Sequence, residues 1–325
     1  MSRARAVVVS KPGDRSVLEV RDVEVGDPGP GEVQVELEAA GVNFIDVYHR
    51  QGVYPGPTPF VLGQEGAGRV VAVGDGVTRA AVGDTVAWCQ PGGSQCSVVN
   101  RRADQVVRVP PDVDTRLAAA AMLQGLTAHY LTTSTHEVRA GETVLVHAAA
   151  GGVGQLLVQL IVARGATVIA TAGSPAKLAL ARQLGAAHTI DYSTVDDLAA
   201  AVRAAAGRGV DVVYDGVGRA TFDASLASLR PRGTMVLFGA SSGQVPPFDL
   251  QRLNSGGSLY VTRPTLGHHV SDSFELDERA TDLFRWLRDG TLRVTIGGEY
   301  PFDRVADAYE VLEGRRSSGK LLLLP

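Results

Sequence analysis

The stretch VLVHAAAGGVGQLLVQL, residues 144–160, decides the fold. Residues 143–146 are the apolar, β-branched run of a strand covered on both faces, and residues 155–163 repeat apolar side chains at helical spacing. Between them Ala149-Ala150-Gly151-Gly152-Val153-Gly154 keeps the second and third glycines of the G-x-G-x-x-G pattern and has Ala149 in the first place. The bare backbone at Gly151 lets a pyrophosphate come close, Gly154 lets the helix pack tightly on the strand, and the helix N-terminus attracts phosphate charge. Alone, such a turn is a weak signal, so the flanking rhythm has to decide.

That rhythm is strand, helix, strand, helix. Strands are expected at 143–146, 167–171, 188–190, 210–214, 234–238 and 258–261, with helices at 153–163, 176–184, 195–206 and 220–229. The loop from 239 to 257 is too polar and glycine-rich to be helical throughout. Such alternation implies parallel strands with right-handed crossovers, and six of them a doubly wound α/β sheet. Upstream, residues 5–109 read as a β-rich domain with strands at 7–9, 17–25, 32–37, 67–73, 82–88, 95–99 and 106–109, a short helix at 43–51, and Pro110-Pro111 as its close. An alanine-rich helix at 115–130 crosses into the second domain. A helix at 273–288 follows, and the apolar tail 321–324 is expected to return to the first domain.

The 325 residues suit two domains of about 150 each. With 31 basic against 35 acidic side chains and no basic run, the chain lacks what nucleic acid or an acidic membrane surface demands. The longest apolar tract is interrupted by His147, Gln155 and Gln159 and cannot span a bilayer; residues 6–9 are too short for a signal segment. Cys89 and Cys96 match no metal or redox spacing and fit a reducing, cytoplasmic compartment. The histidines show no ligand spacing; only the pair His268-His269 is placed to rim a substrate mouth, and an exposed loop is the plainer reading.

Which dinucleotide binds is a question of charge at the end of the second strand, where an NAD site carries Asp or Glu for the ribose 2'-hydroxyl. Here Ala172 stands in that place, and Gly173, Ser174 and Lys177 follow with a hydroxyl and a cation. That set suits a 2'-phosphate and therefore NADPH; the alternative is that Lys177 is an ordinary solvated helix lysine.

Five segments in order, Gly41-Val42-Asn43-Phe44-Ile45-Asp46, Gly63-Gln64-Glu65-Gly66-Ala67-Gly68, residues 147–154, Tyr214-Asp215-Gly216-Val217-Gly218 and residues 258–264, resemble the zeta-crystallin-type NADPH:quinone oxidoreductases. These form a zinc-independent branch of the medium-chain dehydrogenase/reductase superfamily, and the likeness covers nearly the whole chain. It implies a GroES-like substrate domain over 1–123 with 265–325, a Rossmann NADPH-binding domain over 124–264, and a cleft between them. It further implies a homodimer joined through edge strands, with 259–261 as the candidate. The cofactor contacts it implies are Asp46, Tyr48, Thr127, Tyr130, Gly151, Gly152, Val153, Gly173, Ser174, Lys177, Tyr192, Gly216, Val217, Phe238, Gly239, Ala240, Ser241, Thr262, Arg263, Pro264, Thr265 and the returning loop Ser318-Gly319-Lys320. Gln124 departs from the lysine frequent in relatives.

The zinc alcohol dehydrogenases of the same superfamily hold their metal on two cysteines and a histidine. Asn43 stands at the first cysteine, Gln64 at the histidine and Leu123 at or beside the second cysteine, so no zinc is expected and reduction of an electron-poor acceptor is favoured over alcohol oxidation. Asn43 and Tyr54 are the candidate catalytic residues, as donors to an acceptor oxygen or, for Tyr54, as a proton source. Against those roles, Asn43 can simply cap the short helix and Tyr54 anchor a turn. The leading reading is an NADPH-dependent, zinc-free reductase of quinones. An enoyl or enone reductase of the same fold comes next, and a NADPH-binding structural or sensor protein is the third.

Overall fold

A computed structural model describes residues 2–314, 317 and 319–325. The chain parts into two units, Met1–Leu126 with Val270–Pro325, and Thr127–His269. The first begins with β1 (Ser2–Val9), β2 (Leu18–Val25), β3 (Glu32–Val42), α1 (Phe44–Arg50), β4 (Phe60–Val61), β5 (Glu65–Val73), β6 (Thr85–Trp88), β7 (Val98–Arg102), β8 (Val107–Arg108) and α2 (Thr115–Tyr130). Period-2 patterning is plain in β3, which buries Val33, Val35 and Leu37 and turns Glu36 and Glu38 to solvent. Several expected strands prove shorter. Asp14 accepts from the Ser16 amide and winds Arg15–Val17 into a tight turn, so β2 starts at Leu18. Gly83, at φ +96°, turns the chain before β6. The 95–99 segment enters its strand only at Val98, because the amides of Gln95 and Ser97 bond to Leu62 and Arg5 instead.

The second unit supplies β9 (Thr143–Val146), α3 (Gly152–Ala163), β10 (Thr167–Ala172), α4 (Pro175–Gln183), β11 (His188–Asp191), α5 (Leu198–Ala206), β12 (Val210–Asp215), α6 (Phe222–Ser228), β13 (Leu229–Leu237), α7 (Gln251–Ser255) and β14 (Tyr260–Thr262). Among the described residues these strands form a six-stranded parallel sheet in the order β11-β10-β9-β12-β13-β14. Leu145, Ile169, Val213 and Met235, all inaccessible to solvent, lie in its core. The chain goes from β9 to one side and returns to the other, so β9 flanks the switch point where ligands of open α/β sheets bind. Helix α5 starts later than its periodicity implies because Asp197 caps it, accepting from the Ala200 amide. The edge strand also moves: Ser258 takes φ +58° and Leu259 is buried, so the exposed edge is Tyr260–Thr262 rather than 259–261.

The chain then adds α8 (Ser273–Asp289), β15 (Ile296–Pro301), α9 (Val305–Glu313) and β16 (Lys320–Leu324) to the first unit. Strand β16 returns as expected, antiparallel to β3 and parallel to β15. Neither β15 nor α9 was legible: IGGEYP carries no apolar alternation, and α9 spans little more than two turns on Val305, Ala308 and Tyr309. Among the described residues no helix is long and apolar enough to cross a membrane.

Candidate cofactor and acceptor sites

The glycine turn is held by its own backbone. His147 donates its amide to Tyr214, Ala149 to Thr171, and Gly151 to Ala148, so the turn is tied to both strands beside β9. Ala148, at φ +49°, takes the left-handed conformation. A Cβ on Gly154 would stand 2.3 Å from the Ala148 carbonyl oxygen, which is why that helix position admits only glycine. Gly151, Gly152 and Val153 begin the twelve-residue α3, whose first amides have no partner within the helix and lie at the C-terminal end of the sheet. These residues fit a pyrophosphate.

Gly173, Ser174, Lys177 and Tyr192 come together beside the end of β10. A Cβ on Gly173 would lie 2.5 Å from the Tyr192 hydroxyl, and Ser174 is the N-cap residue of α4, with Lys177 in its first turn. Tyr192 is 41% exposed. No carboxylate follows Ala172; the nearest acid along the neighbouring strand, Asp191, spends its side chain on Ser193.

Gly216 and Val217 follow β12, and Phe238 to Ser241 follow β13. The Gly216 and Gly239 backbones touch: a Cβ on Gly216 would meet the Phe238 ring at 2.8 Å, and one on Gly239 the Gly216 carbonyl at 2.6 Å. Ser241 donates its amide to Gly216 and Ser242 to Val217. Arg263 and Thr265, exposed, and half-buried Pro264 follow β14, and the Arg263 guanidinium donates to the Pro264 carbonyl. Thr127 and Tyr130 are buried on α2, where the Tyr130 ring stacks on His269 at 4.2 Å, so His269 packs inward and does not simply rim an exposed loop.

In the first unit the expectations are rearranged. Asn43, Glu65 and Lys320 are buried together: Asn43 Nδ2 donates to Glu65 Oε1 at 2.6 Å, Asn43 Oδ1 accepts from Lys320 Nζ at 2.7 Å and from Gln124 Nε2 at 3.2 Å, and Lys320 is ion-paired with Glu65. Lys320 is thus turned into the core, where a cofactor phosphate does not reach, and Gly319 is required for a close approach to the Thr295 carbonyl. Ser318 lies outside the described residues. Asp46 also faces inward: its Oδ2 accepts from the Asn43 amide at 2.8 Å and the Tyr309 hydroxyl at 3.1 Å, so it closes α1 and is not open to a ligand. Asn43 precedes α1, but its carboxamide faces Glu65 and keeps one N–H uncommitted. Tyr48 and Tyr54 meet edge to face at 5.6 Å, and Tyr54 is 37% exposed, leaving its phenol accessible.

Positions 43 and 123 are joined through Glu65. Glu65 Oε2 accepts from the Leu123 amide at 2.6 Å, and buried Gln64 precedes Glu65 in the chain. The three positions carry two carboxamides and a leucine, none of them a thiol or an imidazole that would bind zinc. Glu65 and Tyr309 were not among the sequence candidates. The Gly63-Gln64-Glu65-Gly66 motif pointed at the former, while nothing local marks the latter.

Residues 29–143 match the alcohol dehydrogenase GroES-like domain and residues 152–280 the domain described as zinc-binding dehydrogenase. The quinone oxidoreductase of Pseudomonas aeruginosa is 44% identical over 324 residues, covering 99% of this chain and 100% of the relative. The chain belongs to the quinone oxidoreductase family. Its place is in the medium-chain dehydrogenase/reductase superfamily, whose zinc ligands this family member lacks. The structure of the Escherichia coli quinone oxidoreductase complexed with NADPH superposes with a TM-score of 0.96 at 41% identity, covering 99% of this chain and 100% of that one. A 2-haloacrylate reductase of a Burkholderia species is 40% identical over 328 residues, 98% of either chain.

Proposed function

We propose that this quinone oxidoreductase family member is an NADPH-dependent, zinc-free reductase of quinones. One observation carries the reading: a glycine cradle at the strand ends stands beside a ribose position where Ala172, Gly173, Ser174 and Lys177 replace an acid. NADPH, when bound, supplies the hydride. The chain's part is to hold the dinucleotide on the α3 amides, to receive the 2'-phosphate at Ser174 and Lys177, and to meet a flat acceptor with the partly exposed Tyr54. Asn43 contributes its remaining N–H as charge develops on the acceptor oxygen, its orientation set by Glu65 and Lys320. The likeness to a NADPH-complexed quinone oxidoreductase supports this reading. Both cysteines are free and buried, in keeping with a reducing cytoplasm. Tyr260 and Val261 are exposed on β14, whose outer edge has no partner strand among the described residues, and form the surface through which a homodimer is to be expected.

A second reading, reduction of activated alkenes, is favoured by the accessible phenol of Tyr54 as a proton source and by the 2-haloacrylate reductase among the relatives. NADPH oxidation followed with a panel of quinones and enones, beside NADH and with chelator in parallel, separates them. Chelator-insensitive turnover of quinones with NADPH is the expected result. Turnover of enones alone, abolished by Tyr54→Phe, sustains the second reading, and silence with every acceptor overturns both.

A further inference from the structure

Beneath the glycine turn lies a polar chain that the cofactor contacts do not use. His147 Nδ1 is 2.8 Å from Thr171 Oγ1, and His147 Nε2 is 3.0 Å from Ser225 Oγ. The Ser225 hydroxyl in turn donates to Asp215 Oδ2 at 2.8 Å, which also accepts from Thr221 at 2.7 Å. Asp215 Oδ1 accepts from the amides of Val217 at 2.8 Å and Gly218 at 3.0 Å. His147, Thr171, Asp215 and Ser225 are each at most 1% exposed.

Hydrogen bonding and burial together favour one arrangement of protons. Four donors converge on Asp215, the pattern of an ionised carboxylate. Ser225 has one hydrogen and gives it to Asp215, so it accepts from His147 Nε2–H. With the imidazole neutral, as its burial favours, Nδ1 is an acceptor and Thr171 donates to it. Burial, which disfavours the charged imidazolium, acts in the same direction by lowering the His147 pKa.

The relay runs from the end of β10, through the first residue after β9, to the end of β12, and finishes on the two amides of the loop that follows Gly216. These strand ends carry the glycine turn, the Gly173–Ser174 segment and the Gly216–Gly218 loop. We infer that His147, Ser225 and Asp215 are positioning residues for the dinucleotide, a one-directional relay that holds these three loops in a single relative geometry. The inference rests on the NADPH reading of the Rossmann unit. A loop held by charge-assisted bonds loses less freedom when a ligand orders it, so the relay acts on cofactor affinity and leaves the acceptor step alone.

Asp215→Asn is the informative variant because it keeps every hydrogen-bonding position. Its amide nitrogen donates to Thr221 and Ser225, Ser225 then donates to His147 Nε2, and His147 Nδ1–H donates to Thr171: the relay runs backwards. Nitrogen-15 NMR of labelled histidine therefore reads Nε2–H in the native protein and Nδ1–H in Asp215→Asn. With the charge gone from the two amide bonds, the Kd for NADPH by fluorescence titration rises about fivefold. Ser225→Ala, which leaves His147 Nε2 orphaned, raises it about tenfold, with kcat at saturating NADPH and the KM for quinone unchanged. Val202→Ala, a core truncation on α5 that removes no hydrogen bond of the relay, lowers Tm with no change in Kd. A native Nδ1–H tautomer, or folded Ser225→Ala binding NADPH within about twofold of native, overturns the inference and leaves the NADPH reading standing. Failure of the native protein to bind NADPH overturns both.

Discussion

Glu65 in the first unit and Asp215 in the second are carboxylates with no measurable exposure, and they are satisfied by different means. Glu65 is neutralised by an ammonium, with the Asn43 carboxamide and the Leu123 amide filling the rest of its capacity. Among the described residues Asp215 has no cation as a hydrogen-bond partner and is satisfied by two amides and two hydroxyls from residues two to ten positions further along. The ammonium reaching Glu65 comes from 255 residues away. A local nest forms with its own turn and helix. A long-range ion pair exists only after the tail has docked, so the geometry of Asn43 depends on β16.

The largest expected effect tests that dependence. Lys320→Met leaves Glu65 as an uncompensated buried charge and costs about 3–5 kcal/mol in denaturant unfolding, whereas the double variant Glu65→Gln/Lys320→Met recovers most of the loss. A single variant as stable as the native protein would show that the pair is not what compensates Glu65.

Asp46 sharpens the contrast, since among the described residues the Lys320 ammonium acts on it only through space and its set of donors is incomplete. Among the described residues its Oδ1 has no hydrogen-bond partner, and burial pushes its carboxyl from 3.8 up to about 7. The folded value lies above the unfolded one, so the native state keeps a proton that the unfolded chain has released. The corresponding stability is full below about pH 4 and is lost as pH rises through about 7. Asp46→Asn is expected to flatten that decline, narrowing the change in stability between pH 5 and 8 by on the order of 2 kcal/mol. Unfolding curves that fall equally with pH in both proteins would contradict the assignment.

A smaller effect is expected at the half-exposed surface. Lys177→Ala should weaken NADPH about tenfold and NADH hardly at all, solvent screening keeping the loss at the low end for a charge-assisted bond. Equal loss for both cofactors in parallel titrations would return Lys177 to the role of an ordinary helix lysine.

The chain's own order of residues determined the Rossmann unit almost completely. A glycine turn, a β-branched strand and a 3.6-residue period are local properties, and the register of parallel strands follows from burying both faces of the sheet. The strand ends that gather Gly151, Gly173, Gly216 and Gly239 follow from that alternation. Short edge elements were not legible: β15 carries two glycines and no alternation, and Phe60–Val61 is strand only because β1 lies beside it. The direction of charged side chains was decided by tertiary structure alone. Asp46 and Lys320 read as open, ligand-facing residues, yet one closes α1 against Tyr309 and the other neutralises Glu65. Their partners stand 263 and 255 residues distant, and no periodicity within a window of sequence encodes a contact that forms only when the tail is paired to β3.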